Sequence, residues 1–306
     1  MNKILAALLI TASAGWTATL DSETSYDAKS IRGAFLSRGM AARPVGMGEA
    51  FTAVADDASA GSWNPAGLGQ VNAMSAVATY DSAGQDLGVT YLAGAMPVPG
   101  GTAGLSVIMV SLGSYDERDA TGEKLGSKSL SDMAFGGTYA FKNPSFLGGF
   151  GWTGVGVEFV SEAVGGSLIG LNLGGVYPLD AKLKAGWALQ HVGPGADGFS
   201  LPAVAKAGVS YSPMENLGTS GDLGMGLVDK QMFIALGTEY TVAKILALRL
   251  GYKWAGDQGI DGLTGVTGGL GVRYGQFGFD YAAQLFGEMA TSHRVALVWG
   301  MGEAGK

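Results

Sequence analysis

The chain has no cysteine, and its 306 residues include only two histidines. Without a thiol an exported protein cannot form a wrong disulfide, and metal centres built on cysteine and histidine lack ligands. His191 and His293 stand about a hundred residues apart, so no metal constellation follows. Charge is scarce too: Asp, Glu, Lys and Arg make up 15% of the chain, and no basic block is longer than a pair. Nucleic acid is therefore not an expected partner. Long apolar runs are also missing. No stretch beyond the N-terminus approaches the roughly 20 apolar residues of a spanning helix, so any membrane crossing must use strands closed into a barrel.

Glycine, by contrast, is plentiful at 53 residues. Each glycine inside a helix costs about 1 kcal/mol relative to alanine, which argues against a mainly helical fold. Collagen would need glycine at every third position with abundant proline, and neither is present. Few charges with a mean hydropathy of only +0.23 suit a protein half in lipid and half in water. The N-terminus reads as a secretory signal: Asn2-Lys3 supplies the charge, Ile4 to Ala12 the apolar region, and Ala12-Ser13-Ala14 a small-x-small cleavage site. A membrane anchor would need a longer run. Loss of residues 1–14 removes Lys3 and takes the net charge from −7 to −8.

From Ser75 to Trp299 the sequence divides into fourteen stretches of 8 to 14 residues, rich in valine, leucine, tyrosine and glycine and separated by turn signals. The eleventh places Leu246, Leu248, Leu250, Tyr252 and Trp254 on one face and Ala247, Arg249, Gly251 and Lys253 on the other. In the seventh, Leu183, Ala185, Trp187 and Leu189 oppose Lys182, Lys184, Gly186 and Gln190. In the thirteenth, Phe277, Phe279, Tyr281 and Leu285 oppose Gln276, Gly278, Asp280 and Gln284. A soluble sandwich alternates as well. Two features favour a membrane barrel: glycine often occupies the polar face, as in a crowded lumen, and aromatics gather near strand ends. Those aromatics are Tyr80, Tyr139, Tyr177, Tyr211, Tyr240, Trp254, Tyr274 and Trp299.

The expected fold is thus all-β, a transmembrane antiparallel up-and-down barrel of about 14 strands over residues 75–299, with a tail at 300–306. Lys182, Lys184, Glu239, Arg249 and Lys253 are its expected polar lumen face. A turn at Ala243 to Ile245 pairs Val242 with Leu246 and so sets Glu239 opposite Arg249. The polar stretches Ser114 to Ser129 and Ala255 to Gly262 both follow odd-numbered strands, which places them at one end as loops.

Before the first strand, residues Arg43 to Val71 read "RPVGMGEAFTAVADDASAGSWNPAGLGQV". This stretch, together with "WALQHVGPG", "LPAVAKAGVSYSP" and the closing "FDYAAQLFGEMATSHRVALVW", resembles the PorV/PorQ family of outer-membrane barrels, which is related to the FadL transporters. The resemblance implies a fourteen-stranded barrel whose N-terminal segment, residues 15–74, folds inward as a hatch. Asp56, Asp57, Ser59, Trp63, Asn64 and Pro65 carry the hatch motif, and His293 and Arg294 the closing-strand motif. Asp56 or Asp57 can cap a turn through Ala58 to Gly61, and Pro65 holds Asn64 extended. Within a lumen, Asp56, Asp57 and Asn64 would bond to groups such as Arg249 and Lys253, and Trp63 would pack on inward glycines. A plain surface loop is the competing account of the stretch. A calcium site at Asp56 and Asp57 would need roughly six to eight oxygens, and only adjacent carboxylates are visible. The chain departs from the usual barrel ending, since it runs seven residues past Trp299.

No enzyme is expected. Ser292 and His293 are strand neighbours pointing to opposite faces, so they form no triad, and the glycine-rich pieces lack a strand-glycine-helix context. No cofactor is implied. The leading expectation is a PorV/PorQ-type barrel in the outer membrane, reached by a signal peptide, acting in transport or protein secretion. Its partners would be outer-membrane lipid and exported proteins or secretion-system components. The other readings are FadL-like uptake of a hydrophobic ligand and a structural barrel without cargo.

Overall fold

The computed structural model describes residues 31–82, 87–144, 149–195, 198–256, 264–286 and 291–300. The signal peptide expected at residues 1–14 and the tail beyond 300 lie outside the described residues. The strands are β1 Ser75–Ser82, β2 Gly88–Val98, β3 Gly101–Arg118, β4 Lys124–Pro144, β5 Phe150–Glu162, β6 Gly166–Pro178 and β7 Leu183–Val192. They continue as β8 Val204–Met214, β9 Leu217–Gly226, β10 Met232–Val242, β11 Leu246–Ala255, β12 Val266–Tyr274, β13 Phe277–Leu285 and β14 Thr291–Gly300. Each pairs antiparallel with the next, and β14 pairs with β1 to close a fourteen-stranded up-and-down barrel. Among the described residues no helix is long and apolar enough to cross a membrane.

Side-chain alternation explains the closure. Along β11, Ala247, Arg249 and Gly251 are buried, whereas Leu248, Leu250, Tyr252 and Trp254 are 39%, 61%, 42% and 48% exposed. An apolar outer row over a polar inner row is the inverse of a soluble sandwich and is stable with lipid outside. The turn at 243–245 sets the expected register, with Val242 opposite Leu246 and Glu239 opposite Arg249.

Three sequence expectations need correction. The stretch Ser114 to Ser129 is not a loop: β3 and β4 run through most of it as a hairpin turning at 119–123. Beyond Ser111 and Met133 neither strand has its other barrel neighbour, so residues 112–132 stand out as a two-stranded arm. Both faces of that arm meet water, and its sequence therefore has no apolar alternation to read. Lys182 lies outside β7, exposed in the preceding turn, where its Nζ donates to the Pro213 carbonyl at 2.9 Å. Tyr177 is buried rather than part of an outer girdle.

The barrel has two unlike ends. At the turn end β10 meets β11 through 243–245 and β12 meets β13 through 275–276. The loop end carries the arm and the connection 193–203. From Ile31 to Val71 the chain passes from the loop end to the turn end through the interior. Ile31 bridges Ser200 beyond β7, and the Gly33 N–H donates to Glu162 at the end of β5 (2.7 Å), while Val71 leads into the start of β1. This inner segment holds a one-turn helix α1, Ala42–Gly46, against β11 to β13, and a 3-10 helix at Pro65–Gln70 against β4 to β6. Inward glycines make room for it. A Cβ on Gly154 would overlap the Pro65–Ala66 backbone, and one on Gly251 would overlap Met47–Gly48. Glycine on the polar face thus reflects main chain packed directly on the wall.

Candidate functional site in the barrel interior

Near the turn end, Arg43 of α1 is the hub of a charge network. Its Nη1 donates to Asp56 Oδ1 at 2.6 Å and Asp57 Oδ2 at 3.1 Å. Its Nε and Nη2 grip the Glu239 carboxylate bidentately at 3.0 and 2.9 Å. Arg249 continues the chain, with Nε to Glu239 at 2.6 Å and Nη1 to Asp280 at 2.7 Å, and Arg273 Nη2 donates to Asp280 at 2.8 Å. The hatch-motif aspartates therefore reach Arg249 only through Arg43 and Glu239. Lys253 bonds instead to Glu49.

At mid-height the inner segment is tied by its backbone. Asp222 Oδ2 accepts the Phe51 and Thr52 N–H groups, each at 2.9 Å, and Ser220 Oγ donates to the Ala50 carbonyl at 2.6 Å. Asn64 is extended (φ −155°), and Pro65 follows it as the first residue of its 3-10 helix. The Asn64 amide donates to Thr52 O at 2.7 Å and Gly175 O at 3.2 Å, and its Oδ1 accepts the Ala66 N–H at 3.1 Å. Asp57 caps the turn that follows it: its Oδ1 accepts from the Ser59 N–H and hydroxyl at 2.9 and 2.6 Å and its carbonyl from the Ala60 N–H at 3.0 Å, and the short 3-10 helix begins at Ala60. Trp63 is buried, but not on glycines: its indole N–H donates to Met40 O at 3.0 Å, and it packs edge-on to Phe51. Lys184 reaches Gln70 at 2.6 Å.

Toward the loop end, Arg38 of the inner segment donates to Asp81 of β1 at 2.8 Å, and Arg294 of β14 joins the same carboxylate at 3.1 Å. Arg294 is 1% exposed and knits the seam between first and last strands. His293 faces outward, stacked on Tyr281, with Nδ1 2.7 Å from the phenol. His191 sits at an irregularity between β6 and β7 with φ 58°, its Nδ1 2.7 Å from Glu158.

Cavities flank this filling at both ends. One of about 260 Å³ at the turn end is bounded by Arg43, Thr241, Ile245, Arg273 and Val298. Another of about 230 Å³ at the loop end is bounded by Leu36, Trp63, Gln190, Lys206, Phe233 and Lys253. Between them lie α1 and the turns around Ser59. The sequence had grouped Glu239 with Arg249 but missed Arg43, Glu49, Asp81, Asp222 and Lys206. Asp222 and Lys206 do alternate onto inner faces, and that was the available signal.

No protein-family model matches the chain, and no curated protein matches it by sequence. Solved structures do match. The toluene transporter TbuX of Ralstonia pickettii is 14% identical with a TM-score of 0.56, over 86% of this chain and 97% of that one. A Pseudomonas aeruginosa FadL homologue is 12% identical, with a TM-score of 0.56 over 85% and 98%. The Pseudomonas putida toluene transporter TodX is 13% identical, with a TM-score of 0.54 over 78% and 92%. At these identities the likeness is one of fold: the chain shares its closed barrel with FadL-type transporters.

Proposed function

We propose that the protein is an outer-membrane barrel that passes small hydrophobic molecules through its lumen, with the inner segment acting as a hatch. The observation that carries this reading is the pair of cavities at opposite ends of one filled lumen, joined only if the segment between them shifts. A barrel of fourteen strands is wider than the ~8 that side chains alone can fill and narrower than the ~16 of open porins. Its filling must then set what passes. The FadL-type fold neighbours, two of them toluene transporters by name, support hydrophobic cargo over secretion. Deleting Ala58 to Gly67 should leave the barrel assembled, as judged by heat-dependent gel mobility, yet raise its conductance in planar bilayers several-fold. Wild-type protein should speed toluene uptake into cells or liposomes. Unchanged conductance together with no uptake would remove the reading.

The PorV/PorQ-type reading, a platform for exported proteins, rests on the sequence motif and on one observation. The arm at 112–132 projects past the barrel wall and offers Tyr115 and Leu125, 48% and 65% exposed. The comparisons lend it no support.

A further inference from the structure

The basic side chains of the lumen are nearly all answered by acceptors: Arg38 by Asp81, Arg43 by three carboxylates, Lys184 by Gln70, Arg249 by Glu239 and Lys253 by Glu49. Lys206 of β8 is different. Among the described residues its ammonium meets no hydrogen-bond acceptor and no ion-pair partner, and lies 5.3 Å from the centre of the Trp63 ring. Of the nearby Asp222 carboxylate, Oδ2 accepts from the Phe51 and Thr52 amides, while Oδ1 has no hydrogen-bond partner among the described residues. Lys206 lines the loop-end cavity together with Arg38 and Lys253, against Glu49 and Asp229. Arg38 is answered by Asp81 and Lys253 by Glu49, which leaves Lys206 as the lysine or arginine of this wall without an ion pair among the described residues. Glu49 is held by Lys253, and no carboxylate among the described residues lies within ion-pair distance of the Lys206 ammonium.

Leu36, Met40, Trp63, Met232 and Phe233 give the wall an apolar, partly aromatic side, beside the polar Ser62, Gln190 and Gln231. Size narrows the ligand further. A buried apolar cavity of about 150 Å³ holds benzene, so about 230 Å³ takes one ring with a small substituent. Lys206 is half-buried and lacks an ion pair, and a ligand carboxylate would supply one through a charge-assisted hydrogen bond.

We infer that the loop-end cavity binds a monocyclic arene carrying one carboxylate, with Lys206 as the residue that selects for the charge. The inference deepens the transport reading by naming a ligand class, but it is tested by binding alone. Full-length protein in detergent is titrated calorimetrically with benzoate, benzyl alcohol, toluene and acetate at fixed ionic strength. Benzoate should bind at least tenfold more tightly than benzyl alcohol, which has the ring without the charge, and than acetate, which has the charge without the ring. Lys206→Met should weaken benzoate at least tenfold and leave toluene unchanged, and Lys206→Arg should restore most of the loss. Heat-dependent gel mobility verifies that each variant is folded. Equal binding of benzoate and benzyl alcohol, or of benzoate and acetate, overturns the inference, as does a Lys206→Met protein that binds benzoate normally. Toluene uptake without benzoate binding would leave the transport reading standing and sink this one. Benzoate binding without uptake or a hatch effect would do the reverse.

Discussion

Arg43 joins two parts of the chain that would otherwise repel each other. Without its guanidinium, Asp56 and Asp57 of the inner segment would face Glu239 of the wall with Arg249, already shared with Asp280, as the remaining cation. Removing one partner of a buried pair typically costs about 3–5 kcal/mol, and the side chain's 17% exposure puts Arg43→Met toward the lower end. The urea midpoint of gel-mobility loss should fall accordingly. Arg43→Lys should recover only part of it, because an ammonium cannot hold Glu239 bidentately.

At the scale of elements, the arm separates two functions that the barrel alone cannot. Replacing residues 112–132 with a two-residue turn should leave hydrophobe uptake within about twofold of wild type, since the arm lines neither cavity. Loss of uptake would tie the arm to transport. Its tip is organised by Asp119, whose carboxyl is held below the ordinary range by the Thr121 hydroxyl and then the Glu123 N–H. That contribution is present above the normal carboxylate pKa and disappears as pH falls through the lowered one. Asp119→Ala should speed amide exchange at Thr121 and Glu123 at neutral pH, with no effect on barrel mobility.

The barrel elements were legible because lipid and lumen impose opposite demands on alternate residues, and a row such as Leu248, Leu250, Tyr252 and Trp254 records them. The Glu239–Arg249 register followed from one turn length. The arm was not legible, because water on both faces removes that contrast. Nor were the partners of Arg43, since Glu239 lies 196 residues away and no periodicity links them. Lys182 was misplaced for a simpler reason: alternation cannot mark where a strand stops.

For the molecule as a whole, the closeness of filling and wall allows a test of whether α1 closes the lumen. Gly46 of α1 and Gly269 of β12 approach so closely that a Cβ on either lies 3.2 Å from the other's Cα. A larger side chain there must push α1 off the wall, so Gly269→Leu should raise conductance in planar bilayers several-fold while heat-dependent gel mobility shows the barrel intact. Unchanged conductance would mean that α1 does not close the passage.

The path of the inner segment also bears on how the protein assembles. Residues 31–71 run lengthwise through a ring that is completed only when β1 meets β14, and these are the two strands farthest apart in sequence. Contacts of such long sequence separation form late, because the entropy of bringing distant chain together opposes them. The segment leads directly into β1, so it is already tethered at the gap while the ring is still open. Threading it afterwards would require its free end to be drawn down the finished tube. The favoured order wraps the later strands around a filling that arrives first, and the inner segment then serves as a mould before it serves as anything else.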